Sequence, residues 1–153
     1  MSNQIATEAQ ERAIRSFTVY GTPVGKGRPR FRSTGKFVQA YTPEKTVAYE
    51  TLVKLAYQQE YGGEPLLAGA LHMRIEAYFP IPKATSKKNI EKMLHGDILH
   101  TKKPDADNVI KAIADALNGV AYADDSAISS LTVMKKYSDT PRVEIMISEL
   151  DCN

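Results

Sequence analysis

Asp105, Asp107, Lys111 and the Asp124-Asp125 pair lie within residues 102–126, KKPDADNVIKAIADALNGVAYADDS, and their types and spacing suit a particular chemistry. Hard carboxylate oxygens brought together hold one or two Mg²⁺ ions, which make a bound water acidic and offset charge on a leaving oxygen. A lysine beside them can rest on a non-bridging phosphate oxygen. Metal-assisted phosphodiester hydrolysis needs this set of groups.

A short predicted helix must position them. It opens after Pro104 with Asp105 as N-cap and closes at Asn118-Gly119, a common helix stop. At about 100° per residue, Asp107, Asn108, Lys111, Asp115 and Asn118 share one arc, and Val109, Ile110, Ala112, Ile113, Ala116 and Leu117 fill the other. One face is therefore apolar and one acidic. Beyond Gly119, Val120-Ala121-Tyr122 reads as a short extended run that delivers Asp124-Asp125 to a turn. Six or seven extended residues at about 3.3 Å each can cover a helix of about three turns, so this return leg can bring Asp124 or Asp125 to the Asp105/Asp107 end.

A structural reading of the same residues stays open. Asp105 can be a cap alone, Asp107 a first-turn acid paired with Lys111 at i,i+4 for about 0.3–0.5 kcal/mol, and Asp124-Asp125 a solvated turn. That reading gives no reason for acids at both ends of the helix-and-return unit.

The string KPDADN–VIK–DALNG–DDS resembles the signature of the RusA family of Holliday-junction resolvases, small dimeric, magnesium-dependent endonucleases. The resemblance implies that Asp105, Asp107 and Asp125 are the catalytic, metal-binding carboxylates and that Lys111 is the essential lysine, stabilising charge on a pentavalent phosphorane. It implies Mg²⁺ as cofactor, with Mn²⁺ able to substitute, and branched DNA as partner. A homodimer with two-fold symmetry would place two sites for symmetric cutting of a four-way junction. Some family members carry arginine immediately before the first aspartate, where this chain has Pro104; Lys102 and Lys103 can supply that charge as DNA contacts.

The composition agrees with this without demanding it. The chain has 153 residues, 42% hydrophobic and 25% charged, which suits one globular domain over 15–150 after a flexible polar arm at 1–14. A net charge of +2 does not by itself call for nucleic acid. Its distribution does more: acids concentrate in residues 105–125, and cations cluster at 26–36, 83–92, 102–103 and 135–136. Cys152 is the single cysteine, which excludes an intrachain disulfide or zinc cluster and fits a reducing cytoplasm. No apolar run approaches the roughly 18 residues of a membrane span, and the amino terminus has no apolar signal core.

Along the chain, residues 15–21 read as a strand with Phe17 and Val19 alternating against Ser16, Thr18 and Tyr20. The following GTPVGKGRPRFRSTGKF reads as a flexible basic loop, in which Lys26, Arg28, Arg30 and Arg32 can grip phosphates while Phe31 and Phe37 stack on an unpaired base. A solvated hairpin loop is the structural alternative. Thr42 caps a predicted helix whose first residue is Pro43, running through Val47, Leu52, Leu55 and Ala56 to Tyr61. Leu71 to Phe79 alternate as a half-buried strand, and Ser86 caps a lysine-rich helix to about His95. His95 and His100 read as surface residues, His100 with a possible phosphate contact. Residues 128–137 and 142–148 read as two strands of a terminal hairpin across Ser138-Asp139-Thr140-Pro141. The fold class expected is α/β (α+β), a single domain with one mixed sheet and helices mainly on one face.

Two other functions fit parts of the pattern. One is a different magnesium enzyme using Asp-x-Asp, such as a phosphatase or glycosyltransferase, although those motifs usually follow an apolar strand and Asp105 follows His-Thr-Lys-Lys-Pro. The other is a non-catalytic branched-DNA-binding protein on the same fold.

Overall fold

The computed structural model describes residues 12–150. Residues 1–11 of the expected arm, and Cys152 with its two neighbours, lie outside the described residues. The elements follow in the order β1 (Ile14–Tyr20), β2 (Arg30–Thr34), β3 (Phe37–Tyr41), α1 (Glu44–Tyr61), β4 (Leu71–Pro80), α2 (Lys87–His95), α3 (Ala106–Ala116), β5 (Ile128–Ser138) and β6 (Arg142–Glu149). A 3₁₀ turn at Asp125–Ala127 leads into β5.

Four strands form one mixed sheet in the order β1-β6-β4-β5, with β4 and β5 parallel and the other neighbours antiparallel. Period-two alternation gives it one apolar face. Phe17 and Val19 of β1, Leu71, Met73, Ile75, Ala77 and Phe79 of β4, and Val143, Ile145 and Ile147 of β6 are buried together. Both α1 and α3 pack on that face, so the expected α+β class with helices on one side holds. On the opposite face Glu76 accepts from Arg74 and Tyr78 and lies 3.4 Å from Lys136. Burial alone would raise its pKa, but these partners outweigh it and lower it. Among the described residues no helix is long and apolar enough to cross a membrane.

The terminal hairpin is not formed. β5 and β6 do not pair with each other, because β4 lies between them and bonds to both. The link at residues 139–141 crosses two strand spacings, about 10 Å, which three residues can span. Within the basic stretch, the hairpin named as its structural alternative forms a small separate sheet, in which β2 pairs with β3 across Gly35, where φ is +65°.

The start of α1 lies one residue later than expected. The Pro43 carbonyl accepts from Thr46 and Val47 N–H groups, so Pro43 is the N-cap and Thr42 caps nothing. The core face of α1 is Thr46, Tyr49, Val53 and Tyr57, while Val47, Leu52 and Leu55 are exposed. Tyr57 meets Phe17 edge-on at 5.4 Å, and its hydroxyl accepts from the buried Arg15. Ser86 caps α2 as expected, its hydroxyl accepting from Asn89 N–H.

Candidate functional site

Helix α3 forms because Val109, Ala112, Ile113, Ala116 and Leu117 can be buried together on the sheet and against α1, leaving Asp107 and Lys111 in water. Asp105 is the N-cap by position, with extended backbone, but its carboxylate does not cap. It lies 3.0 Å from Lys103 Nζ instead, which leaves the first-turn N–H groups of α3 without a side-chain acceptor from the cap. The i,i+4 pair between Asp107 and Lys111 is not made: among the described residues Lys111 forms no ion pair. The pairing part of the structural reading therefore fails, while Asp107 remains an acid in the first turn of α3.

The basic loop is clamped onto the start of α3 rather than free along its whole length. A Cβ on Gly25 would stand 2.6 Å from Pro104 Cβ and 3.2 Å from Asn108 Cβ, so only glycine allows this approach. Lys26 N–H then donates to the Asn108 carbonyl at 2.8 Å, and Gly27 N–H to Thr46 Oγ1 at 2.9 Å. The Lys26 side chain turns inward, bonding to Glu50 on α1 and lying 3.2 Å from Asp115 on α3. Burial works against its ammonium, but the two carboxylates more than offset this and raise its pKa. Lys26, expected on DNA, is thus a staple that joins the loop to both helices.

The clamp leaves a cleft of about 620 Å³ between the loop, the start of α1 and the start of α3. Lys26, Arg28, Arg30, Lys45 and Lys103 line it, with Asn108 and Pro104. It ends one residue from Asp105. Lys45 was missed in the sequence because nothing local marks it, and Asn108 stood only in the polar arc of α3; the packing of Gly25 and Gly27 brings both to the loop.

A third lysine, also missed, fixes the approach to Asp105. Lys135 on β5 donates to the Lys102 carbonyl at 2.6 Å and feels the charge of Asp105. Lys102 keeps its side chain exposed. His100 is only partly exposed. It stacks on Phe79 at 3.7 Å, its ring Nδ1 is buried without a partner, and its N–H bonds to the Lys135 carbonyl. Burial, aided by the charges of Lys135 and Lys102, pushes its pKa down to about 4. A neutral, stacked ring makes no cationic phosphate contact, so His100 belongs to the scaffold.

Asp125 stands elsewhere. The return leg of the sequence reading is taken up by tight turns: Val120 and Ala121 N–H groups bond to Leu117, Gly119 N–H bonds to Tyr122, and Leu67 N–H holds Ala121. The Tyr122 hydroxyl donates to the Ala114 carbonyl in the last turn of α3. Its pKa is raised, by burial first and then by the charges of Asp125, Asp115 and Asp124. Asp124 caps the 3₁₀ turn through Ser126 N–H at 3.1 Å. Asp105 is the N-cap of α3, whose 11 residues span about 16 Å, and Asp125 follows the turns at the other end of that helix. Along the sheet, Ile128 pairs with Leu71, and Lys135, which bonds to the Lys102 carbonyl three residues before Asp105, comes seven residues later, about 23 Å along β5. Among the described residues no three His, Cys, Asp or Glu side chains are grouped to hold a metal ion. The convergence of three carboxylates expected from the sequence does not occur within one chain.

Residues 20–148 match the family model described as Endodeoxyribonuclease RusA. The chain belongs to the RusA family. That match takes in the clamped loop, α3, the Asp124-Asp125 turn and β5, so the whole arrangement described above falls inside the RusA-family region. The chain is also similar to a Bacillus subtilis (strain 168) protein named "Uncharacterized protein YqaN", with 42% identity over 136 residues, covering 88% of this chain and 95% of that one.

Proposed function

We propose that this RusA-family chain is a structure-selective endodeoxyribonuclease that binds Holliday junctions or related branched DNA and hydrolyses the phosphodiester backbone with Mg²⁺, in recombination and repair. The observation that carries this reading is the cleft lined by Arg28, Arg30, Lys45 and Lys103, whose wall at the start of α3 is formed by Pro104 and Asn108, the sequence neighbours of Asp105 and Asp107. Cations along a groove neutralise successive phosphates, and acids at its end receive the backbone held there.

The donor set of Asp105, Asp107 and Asp125 is right for Mg²⁺, which takes oxygen ligands. Among the described residues of one chain, however, no three such side chains are grouped to hold a metal ion. We therefore assign the third carboxylate to a second copy. Two chains related by a two-fold axis, with their α3 helices side by side and opposite in direction, would set Asp125 of each near Asp105 and Asp107 of the other. Dimerisation would then create two sites at once, as symmetric cutting requires.

The chain's own residues have distinct parts in this scheme. Arg28, Arg30 and Lys45 hold the backbone, Lys26 holds the loop that carries the arginines, and Lys103 shields Asp105 until DNA arrives. Lys111, exposed midway along α3, can offset charge that develops on the non-bridging oxygens.

Cleavage of a labelled synthetic four-way junction, beside linear duplex and flap, with Mg²⁺ or EDTA, tests the function. Paired symmetric nicks on the junction, lost in EDTA and in Asp107→Asn, are expected. Binding without cutting under every metal condition would leave a DNA-binding module and remove the catalytic assignment.

A further inference from the structure

The β2–β3 hairpin stands off the body of the molecule, with every residue of both strands exposed. Its register sorts the side chains onto two unlike faces. Arg30 pairs with Tyr41, Arg32 with Gln39 and Thr34 with Phe37, so these share one face, on which the Arg32 guanidinium lies 5.2 Å from the Tyr41 ring centre. Arg30 also lines the cleft, so this face carries the cationic wall outward. The other face holds Phe31, Val38 and Ala40 with Ser33, and Phe31 and Val38 are each 71% exposed. A two-stranded ribbon is marginal by itself, and an apolar face left this open marks a surface that is covered in use.

The charge distribution identifies the occupant. Residues 22–43 contain Lys26, Arg28, Arg30, Arg32 and Lys36 and no Asp or Glu, and of these five only Lys26 forms an ion pair among the described residues. A second copy of this chain on the hairpin would bring like charges together. An acidic peptide offers anions without a flat apolar plate. A DNA branch point offers both, because the arms part there and expose the face of a terminal base pair next to phosphates, whereas a continuous duplex hides its base faces in the stack.

We propose that the β2–β3 hairpin is a branch-reading finger: its Arg30/Arg32 face grips the backbone of one arm while Phe31 and Val38 lie against the base pair exposed where the arms part. This rests on the branched-DNA reading of the cleft and adds to it the element that tells a branch from a duplex. Stacking of bases on an aromatic side chain tolerates any sequence, so the finger would select shape rather than sequence.

The chain has no tryptophan, so Phe31→Trp gives it a single indole reporter at the finger. The experiment titrates the full-length variant with a four-way junction and with a relaxed closed circular duplex, and measures the affinity of Phe31→Ser/Val38→Ser for both across a salt series. Expected are indole quenching by the junction alone, a junction Kd about ten-fold weaker in the double serine variant, a duplex Kd within about two-fold, and an unchanged salt slope, since no phosphate contact is lost. Quenching by neither DNA or by both alike, or equal weakening on junction and duplex, would overturn the finger. So would a serine variant that sediments as a smaller species than wild type, because the apolar face would then join two copies. Failure of the underlying reading is separable: it appears in the wild type alone, as no preference for junction over circle.

Discussion

The Lys26 ammonium lies 3.2 Å from Asp115 Oδ2, joining the basic loop to the last turn of α3, and the same ammonium bonds to Glu50 on α1. A cation used in this way is already neutralised by two carboxylates. Lys26→Gln is expected to lower stability by about 1–2 kcal/mol, between the values for exposed and buried pairs, since the side chains are only partly screened. Its effect on DNA affinity should come through a loosened loop, leaving the slope of log K against log salt unchanged. Urea melts and a salt series check both; a slope reduced by nearly one would return Lys26 to the phosphate contacts.

Arg28 and Lys45 face the cleft from opposite walls, one on the loop and one on the first turn of α1. Each phosphate contact contributes about 0.9 to the salt slope on duplex DNA. Arg28→Ala and Lys45→Ala should each reduce the slope by about that amount, and the double variant by about twice as much. If Lys45→Ala leaves it unchanged, the cleft carries DNA along the loop only.

His100 gives the molecule a pH signature. Folded, its pKa is about 4, held down chiefly by burial against Phe79 and further by Lys135 and Lys102; unfolded it titrates near 6.5. Above about pH 6.5 both states are neutral and this contribution to stability is complete. As pH falls from about 6.5 to 4 the unfolded chain binds a proton that the folded one refuses, so stability drops, by on the order of 1–2 kcal/mol after allowance for partial exposure. His100→Phe keeps the stacked ring without the titration. Unfolding free energies of wild type minus variant should slope only in that window, and parallel curves would assign the acid sensitivity to other groups.

What could be read in the sequence was whatever one face of an element decides. β1, β4 and β6 alternate because one side meets the helices, and α3 shows a clean apolar arc for the same reason. Turn chemistry was misleading at Asp139-Thr140-Pro141: such residues announce a reversal, but a reversal does not say whether another strand lies between the two it joins. β2 could not be seen, because a strand exposed on both faces has no burial pattern to impose alternation. In α1 the aliphatic residues drew attention to Val47, Leu52 and Leu55, whereas tyrosines with long, partly polar side chains fill the core. For the site, residue types and spacing named the acids and Lys111, but whether Asp125 returns along α3 depends on hydrogen bonds of residues 117–122 to each other and to Leu67, a contact more than fifty residues away in sequence.

The placement of Asp105 at the start of α3 and of Asp125 beyond the turns that follow its end leads to an experiment that a site built within one chain cannot pass. Asp107→Asn alone should bind a junction as well as wild type or better, since it removes negative charge near the phosphate, and should not cut; Asp125→Asn alone should likewise bind and not cut. When the two inactive variants are mixed and allowed to exchange subunits, half the dimers are hybrids under random exchange. If each site takes Asp105 and Asp107 from one chain and Asp125 from the other, a hybrid has one site with both substitutions and one with none. The mixture should then nick one strand of the junction without the paired second cut. If all three acids act within one chain, both sites of every hybrid carry a substitution and the mixture stays inactive. Recovery of single nicks therefore measures how the carboxylates are shared, and continued silence would send Asp125 back to its own chain by way of a rearranged 117–124 turn.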